Sequence, residues 1–171
     1  MLDLKLDINE DYEDGISINI ILDESALDGG VYMFLIDDLP LYIGETNIFL
    51  TRIADHLYEL KKDRSYFGLK NLKGMHKITY MILIDGLPYV ESSENLKRKT
   101  DKNRSLRIKK QNEYIDDYKP LTQNPNFDIG ESGGWKRKKD DMIKDSNNVV
   151  EKGLKYHRDD YIQILKQLNL V

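Results

Sequence analysis

Four side chains close together in the sequence have the chemistry to bind an oxyanion and to transfer a proton. Tyr32 and Tyr42 carry hydroxyl groups, and Arg52 and His56 follow with a spacing of four residues. A guanidinium carries a fixed charge on a planar fork that suits carboxylate or phosphate oxygens. A histidine exchanges a proton near neutral pH, whereas an unperturbed tyrosine has a pKa of about 10. These residues can act together only if the fold brings them to one place.

The two tyrosines lie in a segment that predicts a β-hairpin. β-Favouring residues on both sides surround an Asp-Asp-Leu-Pro turn at residues 37–40; they are Val31, Phe34 and Ile36 before it and Leu41 and Ile43 after it. Two such runs separated by a short turn are typical of antiparallel strands.

Arg52 and His56 lie in a segment that predicts an amphipathic helix. Residues at helical spacing follow Gly44: Ile48, Thr51, Arg52, Ala54, Leu57 and Leu60. Thr46 or Asn47 can cap the first turn, because a short polar side chain accepts a free backbone amide there. Residues four apart share one helix face, so Arg52 and His56 can both face the tyrosines of the hairpin.

The order of these residues resembles the GIY-YIG nuclease family, in which a Gly-Ile-Tyr strand pairs with a Tyr-Ile-Gly strand and a helix supplies an arginine. Here the motifs read Gly-Val-Tyr at 30–32 and Tyr-Ile-Gly at 42–44, and Arg52 and His56 follow Gly44 by 8 and 12 residues. The resemblance covers residues 28–125. It implies a small α/β domain with a three-stranded, mainly antiparallel sheet flanked by helices.

The resemblance also implies a reaction, namely hydrolysis of a DNA phosphodiester with Mg²⁺ or another divalent cation such as Mn²⁺. In that reaction Tyr32 would be a hydrogen-bonding group or general base, with Tyr42 beside it. Arg52 would hold the scissile phosphate, and His56 would bond a tyrosine or the attacking water. Glu45 follows the second motif at a position that varies in the family, and it is expected to be peripheral.

The metal-binding position is where the sequence departs from the family. The family has a glutamate on a later helix, followed by an apolar residue, a proline and an asparagine. Ile115 and Pro120 fit this spacing and place the expected glutamate at Gln111 and the expected asparagine at Gln123. The nearest acid, Glu113, lies about 200° further round a helix and should point outward. An amide is a weak ligand for Mg²⁺, which prefers carboxylate oxygens.

Three explanations of Gln111 remain open from the sequence. The protein could be an inert DNA-binding relative, the glutamine could be an engineered replacement of a glutamate, or Glu113 could take over as the ligand. If position 111 is the metal site, a Gln111→Glu substitution should raise Mg²⁺-dependent cleavage.

Composition places the chain among ordinary globular proteins. It has 171 residues, of which 40% are apolar and 33% charged, and it has no cysteine. Disulfides and cysteine-based zinc sites are therefore excluded. No apolar stretch is long enough to cross a membrane, and the acidic N-terminus does not have the pattern of a secretory signal. A cytoplasmic setting is expected.

The net charge of -4 is unevenly distributed. Residues 1–28 contain nine acids and one base, whereas residues 97–110 contain eight bases and one acid. A basic segment on an acidic protein can bind a polyanion, because phosphate neutralisation releases counterions. It can equally be a solvated helix face.

The remaining sequence predicts three regions: an acidic lead-in at 1–27, loosely ordered over residues 1–14 and with a strand at Ile16–Leu22, a nuclease domain at 28–125 and a C-terminal extension at 126–171. The local patterns in these regions predict six further features: a short helix around Tyr66–Leu72, a buried strand at Ile78–Ile84, a helix within residues 91–118 that Pro120 ends, a linker at 122–134, a basic segment at Trp135–Lys139 and a helix at Asp159–Leu168.

The sequence thus predicts a Mg²⁺-dependent DNA endonuclease of the restriction, phage or mobile-element type. Two other classes remain open. One is a catalytically inactive DNA-binding module of the same fold. The other is an acidic interaction module, in which residues 1–28 contact a basic partner.

Overall fold

The computed structural model describes residues 2–9, 15–62, 67–69, 72–92, 100–123, 150–151 and 154 of the chain. Within them the fold is α/β and has five strands, two α-helices and one short 3₁₀ turn. The elements are β1 (Leu2–Asn9), β2 (Gly15–Leu22), the 3₁₀ turn (Glu24–Leu27), β3 (Gly30–Ile36), β4 (Leu39–Thr46), α1 (Phe49–Lys62), β5 (Met75–Ile84) and α2 (Arg104–Tyr118).

The strands form one mixed sheet in the order β1-β2-β5-β3-β4. β3 lies between β4 and β5 and is antiparallel to both, as expected for the three-stranded unit. The sheet does not stop there, because β2 pairs with β5 in parallel and β1 pairs with β2 antiparallel. The expected three-stranded sheet is therefore too small by two strands.

The strand β1 replaces the loosely ordered lead-in that the acidic composition of the N-terminus predicts. Apolar residues alternate with polar ones from Leu2 to Ile8, which is the pattern of a strand with one buried face. The many acids of residues 1–14 obscure this alternation. The backbone register pairs Leu4 with Ile20 and Leu6 with Ile18.

The predicted hairpin is confirmed as β3 and β4. Asp37 and Asp38 form its turn with φ angles of 48° and 67°, a left-handed geometry that aspartate tolerates better than most residues. The carboxylate of Asp37 accepts the backbone N–H of Lys77 at 2.9 Å, which fixes the turn against β5. The register shifts between Phe34 and Leu35, so a bulge interrupts the ladder in the middle of the hairpin.

Every residue of β3 is buried, because the strand is covered on both faces. On one face Tyr32, Phe34 and Ile36 share a core with Phe49 and Ile53 of α1. The opposite face packs against α2 through a second cluster of apolar side chains: Val31, Met33 and Leu35 from β3 with Tyr114, Ile115 and Tyr118 from α2. The two helices therefore lie on opposite sides of the central strand.

The helix α1 confirms the predicted amphipathic segment, with buried residues Phe49, Ile53, His56 and Leu60 at helical spacing. The hydroxyl of Thr46 accepts the N–H of Ile48 at 3.1 Å just before the helix begins. The helix α2 is shorter than the predicted span. It begins at Arg104 and ends at Tyr118, where Lys119 adopts the left-handed conformation ahead of Pro120.

Other predicted elements lie outside the described residues. They are residues 66, 70 and 71 of the short helix around 66–72, residues 97–99 of the basic segment, nearly all of the linker, the basic segment at 135–139 and the helix at 159–168. Neither helix of the described part has the length and apolar character that would let it cross a membrane.

Candidate active site

The hydroxyl of Tyr32 lies at the centre of the candidate site. It is 2.6 Å from Nε2 of His56, and it accepts a hydrogen bond from Nε of Arg52 at 3.2 Å. With the His56 proton on Nδ1, Nε2 accepts a hydrogen bond from the tyrosine hydroxyl. The arginine and the histidine, one helical turn apart on α1, thus hold one oxygen atom on β3 from two directions.

Tyr42 completes the group of four predicted residues. Its ring centroid lies 6.3 Å from that of Tyr32 and 5.7 Å from that of His56, and the charge of Arg52 acts on its hydroxyl. The side chain of Tyr42 is half-buried, whereas Tyr32 is 0% exposed. The structure therefore brings Tyr32, Tyr42, Arg52 and His56 together, although only part of the group is accessible.

The glycines of the two motifs have a physical role in this arrangement. A Cβ atom on Gly44 would overlap the hydroxyl of Tyr32, and one on Gly30 would overlap the carbonyl oxygen of Ile84. Glycine permits such close approach because it has no side chain. The motif glycines thus make room for the central hydroxyl and for the packing of β3 against β5.

Burial keeps the central groups neutral. It raises the pKa of the Tyr32 and Tyr42 hydroxyls, and the partial opposition of Arg52 does not cancel this effect. Burial and, to a smaller extent, the charge of Arg52 lower the pKa of His56 to about 3. At neutral pH the four residues therefore carry a single positive charge, on Arg52.

This neutral histidine leads to a prediction about stability. In the unfolded chain His56 takes up a proton near pH 6.5, but in the folded protein only near pH 3, so acid favours unfolding. The free energy of unfolding should fall between these values with a slope of up to about 1.4 kcal/mol per pH unit. Urea titrations from pH 7 to pH 3 of the wild type and of His56→Gln, which keeps an acceptor for Tyr32, measure it. The two proteins should converge as the pH falls; parallel curves would contradict a buried neutral histidine.

Arg52 connects the buried group to an open groove of about 360 Å³. The residues lining this groove come from the end of β4, from the first turns of α1 and from α2: Glu45, Thr46, Asn47, Thr51, Arg52, Asp55 and Arg107. Two carboxylates and two guanidinium groups thus line the space into which a substrate could enter.

Arg107 is a site residue that the sequence did not reveal. It is 3% exposed, and it donates from Nε to Glu45 at 2.8 Å, from Nη2 to Asp101 at 2.5 Å and from Nη1 to the carbonyl oxygen of Leu87 at 3.0 Å. The basic run at 97–110 suggested a solvated or DNA-binding face, but this arginine points inward. Its position four residues before Gln111, on the inward face of the helix, is the signal that could have identified it.

Gln111 and Gln123 both bind the backbone of Ile43, within the second motif. The amide nitrogen of Gln111 donates to the carbonyl oxygen of Ile43 at 3.1 Å. Gln123 donates to the same oxygen at 2.9 Å and accepts the N–H of Ile43 at 2.7 Å. Since β4 is an edge strand, these two side chains satisfy backbone groups that would otherwise lack a strand partner. Glu113 points outward and pairs with Lys110 at 2.8 Å, as helix geometry predicts.

The residues around position 111 do not fit a divalent metal ion. Gln111 is 2% exposed, and its side chain is an amide, whose nitrogen donates to Ile43, rather than a carboxylate. Across the described ranges, no three His, Cys, Asp or Glu side chains are grouped as metal ligands. Mg²⁺ prefers carboxylate oxygens, and the side chain at this position supplies none.

The comparisons with known proteins add no relative. No family model matches the chain, and neither the curated proteins nor the solved structures contain a match.

Proposed function

We propose that the protein is a DNA endonuclease of the GIY-YIG type, which hydrolyses a phosphodiester bound at Arg52. The supporting observation is the convergence of Arg52, Tyr32, Tyr42 and His56 around one hydroxyl, beside an open groove. These are the four residues that the resemblance assigns to the reaction, and their spacing in the sequence alone did not guarantee that they would meet.

The geometry suits an arginine that binds a phosphate while its neighbours hold it in place. Nε of Arg52 is engaged by Tyr32, and the side chain lines the groove. A guanidinium that is held in place on the protein can present N–H groups to phosphate oxygens in a fixed orientation. Fixed donors directed at developing negative charge are an effective means of stabilising a transition state.

Tyr32 is a positioning residue in this proposal, not the base that the resemblance allowed. It is 0% exposed, so it does not contact a substrate in the groove, and burial raises its pKa. Its hydroxyl accepts the hydrogen bond of Arg52 and thereby orients the guanidinium. A second hydrogen bond, to His56, holds the hydroxyl in place.

A second candidate is a DNA-binding module that does not cleave. The observation that favours it is the engagement of Gln111 by the Ile43 backbone, at the position where the family has a metal-binding glutamate. Such a protein would keep the phosphate-binding arginine but lack the carboxylate that holds the metal.

Incubation with supercoiled plasmid DNA distinguishes the candidates. We expect nicked or linear plasmid in the presence of Mg²⁺ or Mn²⁺, together with binding that weakens as salt is raised, because phosphate contacts release counterions. Salt-dependent binding without cleavage would favour the inactive module. A chain that neither binds nor cleaves DNA would contradict both candidates and favour the acidic interaction module.

A further inference from the structure

The proposed reaction requires a group that takes a proton from the attacking water, and the four central residues do not supply one. Tyr32 is fully buried, and burial raises the pKa of both tyrosines, which makes neither a ready acceptor. His56 accepts the hydrogen bond of Tyr32 behind Arg52 and is 1% exposed. The acceptor must therefore come from the groove.

Two carboxylates line that groove, and only one of them is held in a fixed position. Glu45 directly follows the Tyr-Ile-Gly motif on β4, and its Oε2 accepts Nε of Arg107 at 2.8 Å. Its side chain is 24% exposed, so water can reach the carboxylate while Arg107 holds it in place. Asp55 is exposed on α1, and no hydrogen bond fixes its carboxylate within the described part of the chain.

Arg107 itself is firmly anchored. It joins Glu45 to Asp101, just before α2, and to the Leu87 carbonyl in the segment after β5. An arginine with three such bonds from three parts of the chain fixes the direction of the carboxylate that it holds. Only Oε2 of Glu45 is engaged in the described structure, so Oε1 remains able to accept a proton from water.

We propose that Glu45, positioned by Arg107, is the general base of the site. Oε1 of Glu45 takes a proton from water while the water oxygen forms a bond to phosphorus. The bond from phosphorus to the leaving oxygen breaks, its electron pair stays on that oxygen, and the oxygen takes a proton from solvent. Arg52 faces the charge that develops on the phosphate. This assignment rests on the proposed hydrolysis.

The charge of Glu45 also acts on the residues around it. It is close enough to Tyr42 to contribute to the raised pKa of that hydroxyl, after burial as the main cause. The carboxylate therefore acts on the same hydroxyl as Arg52 does, and both side chains line the groove.

The test compares Glu45→Gln with Glu45→Asp and with Asp116→Asn, an exposed acid on α2 that serves as the control for loss of one negative charge. Single-turnover nicking of supercoiled plasmid and DNA affinity are measured for each. Glu45→Gln keeps an oxygen for Arg107 but loses the base, so the rate should fall by about 10²–10⁴-fold while DNA affinity is unchanged or increased. Glu45→Asp should retain part of the rate, and Asp116→Asn should match the wild type.

The pH profile provides a readout that a structural role would not change. The wild-type rate should fall on the acid side as one group is protonated, and the residual rate of Glu45→Gln should lack that decline. Should Glu45→Gln fail to fold, Glu45→Asp carries the test, and a rate equal to that of the wild type in this variant would overturn the inference. A wild type that cleaves, with Glu45→Gln equally fast, overturns this inference alone. A wild type that binds DNA without cleaving overturns the proposed hydrolysis, and the role of Glu45 with it.

Discussion

Replacing Arg52 with alanine should lower the rate of DNA cleavage by about 10²–10³-fold, the equivalent of about 2.7–4 kcal/mol for one preorganised donor. The guanidinium is the only charge within the central group, and it connects the buried tyrosine to the groove. Because its interaction with the phosphate should strengthen as charge develops, the maximal rate should fall more than DNA affinity does. Single-turnover nicking rates and equilibrium binding separate the two effects.

Two further variants test whether the effect depends on the shape and position of Arg52 or only on its charge. Arg52→Lys keeps the charge but loses the planar fork, so it should recover only a small part of the rate. Lys61→Ala removes an exposed cation near the end of the same helix and should leave cleavage unchanged. Equal losses in Arg52→Ala and Lys61→Ala would mean that general charge, and not the position of Arg52, matters.

The elements next to the site could be predicted from the sequence because local patterns encode them. The hairpin of β3 and β4 follows from β-favouring runs around an aspartate pair, and α1 follows from its apolar spacing. The sequence does not predict the size of the sheet, for two reasons. β1 carries its apolar alternation within an acidic segment, and its partner β2 joins β5 across more than fifty residues, a pairing that no local pattern specifies.

The residues of the site also fall into two groups, those that local sequence predicts and those that only the fold brings together. Tyr32, Tyr42, Arg52 and His56 lie within one hairpin and the helix that follows, so their spacing predicted a shared location. Arg107 and Glu45 are 62 positions apart, and only the packing of α2 beside β4 brings them together. An arginine in a segment that contains eight basic residues looks like a surface residue until its two carboxylate partners are known.

Gln111 has two possible roles, as a metal ligand or as a partner of the Ile43 backbone. The family resemblance makes it a weakened metal ligand, which predicts that a glutamate there would increase cleavage. The structure instead places its amide N–H on the Ile43 carbonyl, where a carboxylate has no proton to donate. The first interpretation predicts faster cleavage by Gln111→Glu, whereas the second predicts a less stable protein.

We expect Gln111→Glu to destabilise the protein by about 3–5 kcal/mol at neutral pH, the scale of an uncompensated buried charge. The new carboxylate would be almost fully buried and would face a carbonyl oxygen. Burial should raise its pKa above the value of about 4.3 for an unfolded glutamate. The variant should therefore be close to the wild type below that pH, where the protonated acid can donate to Ile43, and lose stability as the pH rises towards its folded pKa.

Urea titrations at pH 4 and pH 7 measure this difference, with Gln111→Met as the matched control. Methionine has a similar size, loses the hydrogen bond and carries no charge, so its effect on stability should be smaller and independent of pH. Addition of Mg²⁺ to Gln111→Glu at neutral pH decides between the two interpretations. If the cation restores stability and increases plasmid nicking, position 111 is a metal site. If it does neither, Gln111 serves to hold β4, the edge strand of the sheet, in place. The carboxylate that the reaction needs must then lie elsewhere in the groove.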